Sequence, residues 1–320
     1  MRPGYHQPES CSFPGEMEEN TLTQVVEELC AVSDESTGSG ERRFHIQSHP
    51  SRKVVIEAVE ALRSVLFPGY FGHSELNSES IRYHVGSTLD HVLRTLQEQV
   101  QRGLCFICEE DPDQCPTCNS HALEISREFL ARLPAVRRLL ATDVQAAYEG
   151  DPAASSPDET IFCYPGVRAI TDYRLAHELH TLGVPLLPRI ITEHAHSITG
   201  IDIHPGASIG ESFFIDHGTG VVIGETCIIG ERVRIYQGVT LGARSFSLDE
   251  QGKPIKGIER HPIVEDEVVI YSGATILGRA VIGRGSVIGG NVWLTRSVPP
   301  FSRITQAQAR REAFENGAGI

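Results

Sequence analysis

No apolar run in this 320-residue chain approaches the roughly 20 residues that a membrane-spanning helix needs. The opening stretch, MRPGYHQPESCSFPGEMEEN, is polar and acidic and has no apolar segment of the kind that opens a secretory signal. The protein is therefore expected in the cytoplasm, with no membrane partner. Basic clusters are missing too. The 28 Lys and Arg stand against 42 Asp and Glu, for a formal net charge of −14, which argues against nucleic acid or an anionic lipid surface as a partner. What remains, 40% hydrophobic and 22% charged residues, is the profile of a soluble globular protein, long enough for two domains. Eight cysteines in a cytosolic chain are expected to be thiols or metal ligands, not disulfides.

Residues 1–50, rich in Ser, Glu, Gly and Pro, read as a poorly ordered segment with a short helix at 21–31. From 51 to 197 the apolar period is helical. Val55, Ala58, Leu62 and Val65 share one face, as do Ile81, Val85, Leu89, Val92, Leu93, Leu96 and Val100. A third helix is predicted near 121–140, with Leu123, Phe129, Leu130, Leu133 and Val136. Tyr164-Pro165-Gly166 opens another, which Gly183 closes.

At about residue 198 the helical period disappears and a period of six replaces it. Ile203, Ile209 and Ile215 begin it. Ile223, Ile229, Ile235 and Leu241 resume it after a two-residue shift, and Ile270, Ile276, Ile282, Ile288 and Leu294 continue it. Two positions before these aliphatics stand small or β-branched residues such as Val221, Val239, Val268, Ala274 and Ala280. In a strand, residues i and i−2 point the same way, so both sets face inward in a narrow coil. The repeat is expected over 198–300. A polar insertion without hexads, 243–262, interrupts it, and 301–320 is left as a tail. A sandwich of short strands does not hold so strict a period.

This pattern resembles the hexapeptide-repeat family. The resemblance implies a left-handed parallel β-helix with three hexads to a triangular coil, and so an α+β protein with a helical N-terminal domain. Four local motifs narrow it: Ile201-Asp202-Ile203-His204-Pro205-Gly206, Asp216-His217-Gly218-Thr219-Gly220, Ile223-Gly224-Glu225-Thr226 and Arg260-His261-Pro262. With Ala141-Thr142-Asp143 and Gly150-Asp151-Pro152 in the helical part, they resemble the serine acetyltransferases, in their longer bacterial branch. Such an enzyme moves an acetyl group from acetyl-CoA to the hydroxyl of L-serine, the first step of cysteine biosynthesis.

A serine hydroxyl needs a general base, and an imidazole whose tautomer a carboxylate fixes suits that task. The resemblance gives His217 as the base and Asp202 as its orienter. Fifteen residues apart in coils of about eighteen, they are expected on adjacent coils roughly 5 Å apart. It also implies Arg260 and His261 for the substrate carboxylate and Asp216 and Asp151 for its amino group, with Asp158 as a rival to Asp151. Acetyl-CoA is implied in the groove between neighbouring β-helices, along Ala243, Gly273 and Ala274. That requires a homotrimer, or a dimer of trimers joined through the helices. L-cysteine, a serine isostere, is expected as a feedback inhibitor. The terminal Ile320 is expected to dock in O-acetylserine sulfhydrylase, as the tails of the family often do.

One arrangement falls outside that chemistry. Cys105-x2-Cys108-x6-Cys115-x2-Cys118 suits a structural zinc, with an iron–sulfur cluster as second choice; redox-active thiols and plain thiols in a helical hairpin stay open. His194, His196 and His204 are read as packing residues where the helices join the coils. Three other functions compete: a hexapeptide acetyltransferase for a sugar or antibiotic, a β-helix carbonic anhydrase with three zinc-binding histidines, and a non-catalytic scaffold for the sulfhydrylase.

Overall fold

Seven helices precede fourteen short strands among the residues that the computed structural model describes, which are 19–31, 49–72, 75–108, 115–245 and 248–306. Ile320 lies outside them, as does most of the segment expected to be poorly ordered. Helix α1 (Glu19–Ala31) belongs to a unit of its own, 1–48. No described helix is long and apolar enough to cross a membrane.

In the second unit, 49–320, each helix starts or stops on identifiable chemistry. Ser51 caps α2 (Arg52–Leu66) by accepting from the Val54 N–H, and Val55, Ala58, Leu62 and Val65 are buried as their spacing predicts. Helix α3 (Ser80–Cys108) buries Val92, Leu96 and Val100, while the first half of its apolar face is only half-buried. Helix α4 (Pro116–Gly150) is far longer than the 121–140 expected, because the apolar period continues through Leu140, Val144 and Ala147. Pro134 lies within it without ending it.

Helix α5 (Pro157–Cys163) is short and was not anticipated, although Ser156 at its N-cap accepts from the Glu159 N–H in a Ser-x-x-Glu start with proline at the first turn. Helix α6 (Pro165–Thr181) ends as its glycine predicts. The Gly183 N–H bonds His180 O and the Val184 N–H bonds Leu179 O, the two bonds of a Schellman cap, with Gly183 at φ +75°. Helix α7 (Leu187–Thr199) closes on Gly200 in the left-handed region.

From Gly200 the chain winds a left-handed parallel β-helix of three faces. The first face stacks β1 (Asp202–Ile203), β4 (Val222–Ile223), β7 (Thr240–Gly242), β10 (Thr275–Leu277) and β13 (Trp293–Leu294). The second stacks β2 (Ser208–Ile209), β5 (Ile228–Ile229), β8 (Ile263–Val264) and β11 (Val281–Ile282). The third stacks β3 (Phe214–Asp216), β6 (Arg234–Tyr236), β9 (Val269–Ile270), β12 (Val287–Ile288) and β14 (Arg303–Ile304). All strand pairs run parallel, and hexad residues meet hexad residues: Ile203 with Ile223 and Ile223 with Leu241, Ile215 with Ile235 and Ile235 with Ile270. The hexad aliphatics and the residues two before them are buried, apart from half-buried Leu294. Ser286 is the polar member of this interior, and it is satisfied by donating to Pro299 O and accepting from the Ser302 N–H.

The corner between the third and first faces is a column of left-handed residues: Gly200 (φ +71°), Gly220 (+80°), Gly238 (+71°), Gly273 (+68°) and Asn291 (+55°). Hydrogen bonds of 2.8–3.0 Å tie each level to the next, from Gly220 N to Gly200 O, Gly238 N to Thr219 O and Gly273 N to Gln237 O. The first coil carries two extra residues at this corner, which is the physical origin of the shift between Ile215 and Ile223.

The helices bear on β3. A Cβ on Gly166 would collide with Ile215 O, and one on Gly150 would strike the Phe214 ring. Glycine at both positions lets α4 and α6 approach the strand that ends in Asp216.

Candidate active site

His217 follows β3 directly and occupies the two-residue enlargement of the glycine corner, with φ +55° ahead of Gly218 at +87°. Its side chain is 71% exposed, whereas that of Asp216 is 15% exposed, and His217 Nε2 lies 3.7 Å from Asp216 Oδ1. Asp151, the residue that ends α4, accepts a 2.6 Å hydrogen bond from the Tyr164 hydroxyl and another from the Ala153 N–H. These bonds hold its carboxyl below the usual range, and the His217 imidazole adds to the effect. Asp151, Tyr164, Asp216 and His217 thus form one cluster where α4 and α6 meet β3. Asp158 instead accepts from Tyr70.

Asp202 pairs in register with Val222, and His217 follows β3 near the end of the coil that Asp202 begins. Among the described residues no hydrogen bond joins the Asp202 and His217 side chains.

Arg260 and His261 sit at another corner, between the first and second faces, at the end of the 243–262 insertion. Thr226 organises them. Its hydroxyl accepts from the N–H groups of Arg260 and His261 at 3.0 and 3.2 Å, so its own proton goes to His261 Nδ1 at 2.9 Å. The Thr226 N–H also points at Nδ1, at 3.1 Å. Two donors on Nδ1 place the ring proton on Nε2. Burial and the neighbouring Arg260 charge lower the imidazole pKa. Its close packing demands Gly224, where a Cβ would overlap the ring.

The Arg260 guanidinium bonds Glu225 at 2.9 Å, and its buried Nε has no partner among the described residues. Arg279 bonds the carbonyls of Thr226 and His261 and pairs with Glu259 at 3.0 Å. A cavity of about 290 Å³ opens here, lined by His180, Gly206, Glu225, Thr226, Glu259 and Arg279.

The residues expected along acetyl-CoA divide between the two corners. Ala243 follows β7 on the Arg260 side, and Gly273 belongs to the glycine column two coils beyond His217. Ala274 points into the β-helix interior and is fully buried. The histidines at the junction make local contacts: His204 Nδ1 accepts from the Gly206 N–H at 3.0 Å, its ring meets that of His180, and His196 faces Glu193. Burial, with help from the Arg189 charge, lowers His204 to about 4. Among the described residues the four cysteines are the only group of three or more side chains placed to share a metal ion.

Reading the sequence alone did not single out Tyr164, Thr226 or Arg279 as site residues. Tyr164 had a signal in its place before Pro165, and Thr226 in its motif. Arg279 carried none, because only the coil stacking sets it under the Arg260 corner.

Comparison with known proteins converges on one family. The Bacterial transferase hexapeptide (six repeats) family matches residues 261–296. The chain is 60% identical over 274 residues to the "Serine acetyltransferase, plasmid" of Synechococcus elongatus, covering 85% of this chain and 86% of that one. It is 51% identical over 162 residues to the serine acetyltransferase of Mycobacterium tuberculosis, covering 51% of this chain and 67% of that one. In three dimensions it is similar to the crystal structure of serine acetyltransferase isoform 3 of Entamoeba histolytica in complex with cysteine, with a TM-score of 0.69, 32% identity and coverage of 93% and 94% of the two chains. A relative this similar over most of both lengths leaves one conclusion: the chain belongs to the serine acetyltransferase family, whose members are acyltransferases.

Proposed function

We propose that this protein transfers the acetyl group of acetyl-CoA to the hydroxyl of L-serine, releasing O-acetyl-L-serine and CoA. The observation that carries the reading is the Asp151, Tyr164, Asp216 and His217 cluster. It places an exposed imidazole among carboxylates in a chain of this family. In the proposed reaction His217 takes the serine proton as the oxygen attacks the thioester carbonyl, and returns it to the departing CoA thiolate. Asp202 orients the imidazole once the site is closed, since catalytic hydrogen bonds often tighten only with substrate present. Asp216 and Asp151 hold the substrate ammonium.

The two halves of the site hang from opposite ends of the first face. A side of about six residues, at roughly 3.3 Å each, separates the His217 and Arg260 corners by 15–20 Å. One serine cannot bridge them within a chain. We therefore propose that a second copy brings its Arg260–His261 corner to His217. A trimer closes the three corners in this way, and its grooves bring the Gly273 column beside Ala243 for the pantetheine arm. Mixed subunits test it. Coexpressed His217→Asn and Arg260→Ala chains are expected to regain a measurable fraction of wild-type turnover that neither variant has alone. No recovery in a confirmed mixed oligomer puts both halves in one chain.

The reaction itself is tested by thiol release from acetyl-CoA with L-serine, L-homoserine, a galactoside or no acceptor. Release with L-serine alone supports the proposal, and release with the galactoside alone replaces it with a sugar acetyltransferase. L-Cysteine presents the same ammonium and carboxylate as serine, and the Entamoeba relative was crystallised with cysteine. It is expected to compete with serine in the same assay.

A further inference from the structure

The four cysteines of the paired C-x2-C pattern meet at one point, away from the acyl-transfer cluster. Cys105 and Cys108 lie in the last turn of α3, Cys115 is the N-cap of α4, and Cys118 lies in the first turn of α4. Their four Sγ atoms all lie within 4.8 Å of one another, and Cys108 Sγ is 3.5 Å from Cys118 Sγ.

Geometry separates the candidate chemistries. Four thiolates at about 2.3 Å from one ion, in a tetrahedron, stand about 3.8 Å apart. The cluster needs to contract by about 1 Å at most to reach that spacing. In a [4Fe–4S] cluster each cysteine binds a different iron, which requires a wider cage. A disulfide joins only two of the four sulfurs and leaves the other pair facing it. Thiols that served as ordinary small hydrophobes would pack against aliphatic neighbours instead of one another.

The local backbone fits as well. The Cys118 N–H donates to Cys115 Sγ at 3.4 Å, a bond that strengthens as the sulfur gains charge. Cys105 and Cys115 are buried, Cys118 is half-buried and Cys108 is exposed, so an ion has a way in and a largely dry seat.

We propose that the α3–α4 hairpin ends in a structural zinc site formed by Cys105, Cys108, Cys115 and Cys118. Helix α4 runs 35 residues from this site to Asp151, about 50 Å at 1.5 Å per residue. The ion is therefore remote from acetyl transfer. Its role is to pin the start of the helix whose other end delivers Asp151.

The test uses the full chain, purified reduced and without oxygen, loaded with one equivalent of Zn²⁺ and desalted. Elemental analysis is expected to find about one zinc per chain. Loading with Co²⁺ instead is expected to give thiolate-to-metal charge-transfer bands and the intense visible bands of a tetrahedral site. Cys108→Ser combined with Cys118→Ser, which spares the two buried sulfurs, removes those bands while circular dichroism reports intact helices. Stripping the zinc from wild type lowers Tm by about 5 °C or more and leaves kcat/KM per folded chain unchanged. Zinc retention below about a tenth of an equivalent by folded wild type overturns the proposal. So does a sulfide-containing iron cluster, a cobalt spectrum indifferent to the double variant, or a Tm indifferent to zinc.

Discussion

Replacing His217 by asparagine is expected to lower kcat for L-serine by at least about a hundred-fold, the usual cost of losing a general base. Asparagine is the informative choice because His217 sits at φ +55°. Asn, like His, is among the residues most often found in that region, whereas Ala is not, so Asn keeps the backbone cost closest to that of wild type. With the side chain 71% exposed, little packing is lost, so Tm is expected to stay within about 2 °C of wild type. The KM for acetyl-CoA is expected to hold as well. Steady-state kinetics with both substrates varied, alongside thermal melts, separate these quantities. Near-normal kcat in a folded His217→Asn enzyme removes the residue from the role of base, and the Asp151 cluster then needs another proton acceptor.

Removing one partner of the Asp143–Arg174 pair is expected to destabilise the protein by about 3–5 kcal/mol, the most severe structural loss predicted for a single polar substitution here. The pair is buried, with Asp143 1% and Arg174 4% exposed, and its bonds are short: Nε to Oδ2 at 2.6 Å and a terminal guanidinium nitrogen to Oδ1 at 2.8 Å. Each member also grips the β-helix. Arg174 donates to Ile209 O and Gly210 O, and Asp143 accepts from the Phe213 N–H. The pair therefore links α4 and α6 to the segment that leads into β3, and through it to Asp216 and His217.

Asp143→Ala strands a buried guanidinium, and Arg174→Leu strands a buried carboxylate. A double replacement, Asp143→Leu with Arg174→Met, strands neither and is expected to cost clearly less than the sum of the singles. Chemical denaturation of the four proteins measures the coupling. Single-variant losses below about 1 kcal/mol would place the pair among surface-like contacts and leave the attachment of helices to coils to apolar packing alone.

The β-helix was legible because its physics is local and repetitive. An inward aliphatic every sixth residue, with a small partner two before it, permits one narrow coil, and even the two-residue slip between Ile215 and Ile223 proved to be the corner that holds His217. The helix ends marked by Ser51 and Gly183 were equally readable, since a cap is a hydrogen bond between near neighbours. Helix α4 was underestimated because beyond Leu140 its buried face is carried by Val144 and alanines, a weaker apolar signal, and α5 because seven residues hold too few apolar positions to show a period. Within the site, residue types and motifs pointed to His217, Asp216, Arg260 and His261. That Tyr164 clamps Asp151 and that Arg279 braces the Arg260 corner depends on contacts between segments far apart in the chain or in different coils.

By itself the sequence determined the period of the coil, the inward and outward faces of its strands, the family and the residue types a serine acetyltransferase needs. Each of these is set by spacing along a few tens of residues. Only the tertiary structure decided that Asp202 and His217 share a coil, that Asp151 and not Asp158 faces the imidazole, that the His217 and Arg260 groups occupy different corners of one chain, and that four sulfurs converge where α3 meets α4. The reason is common to all four. They depend on how many residues a corner consumes and on how long a helix runs before it turns back, and those lengths are fixed by packing between distant segments.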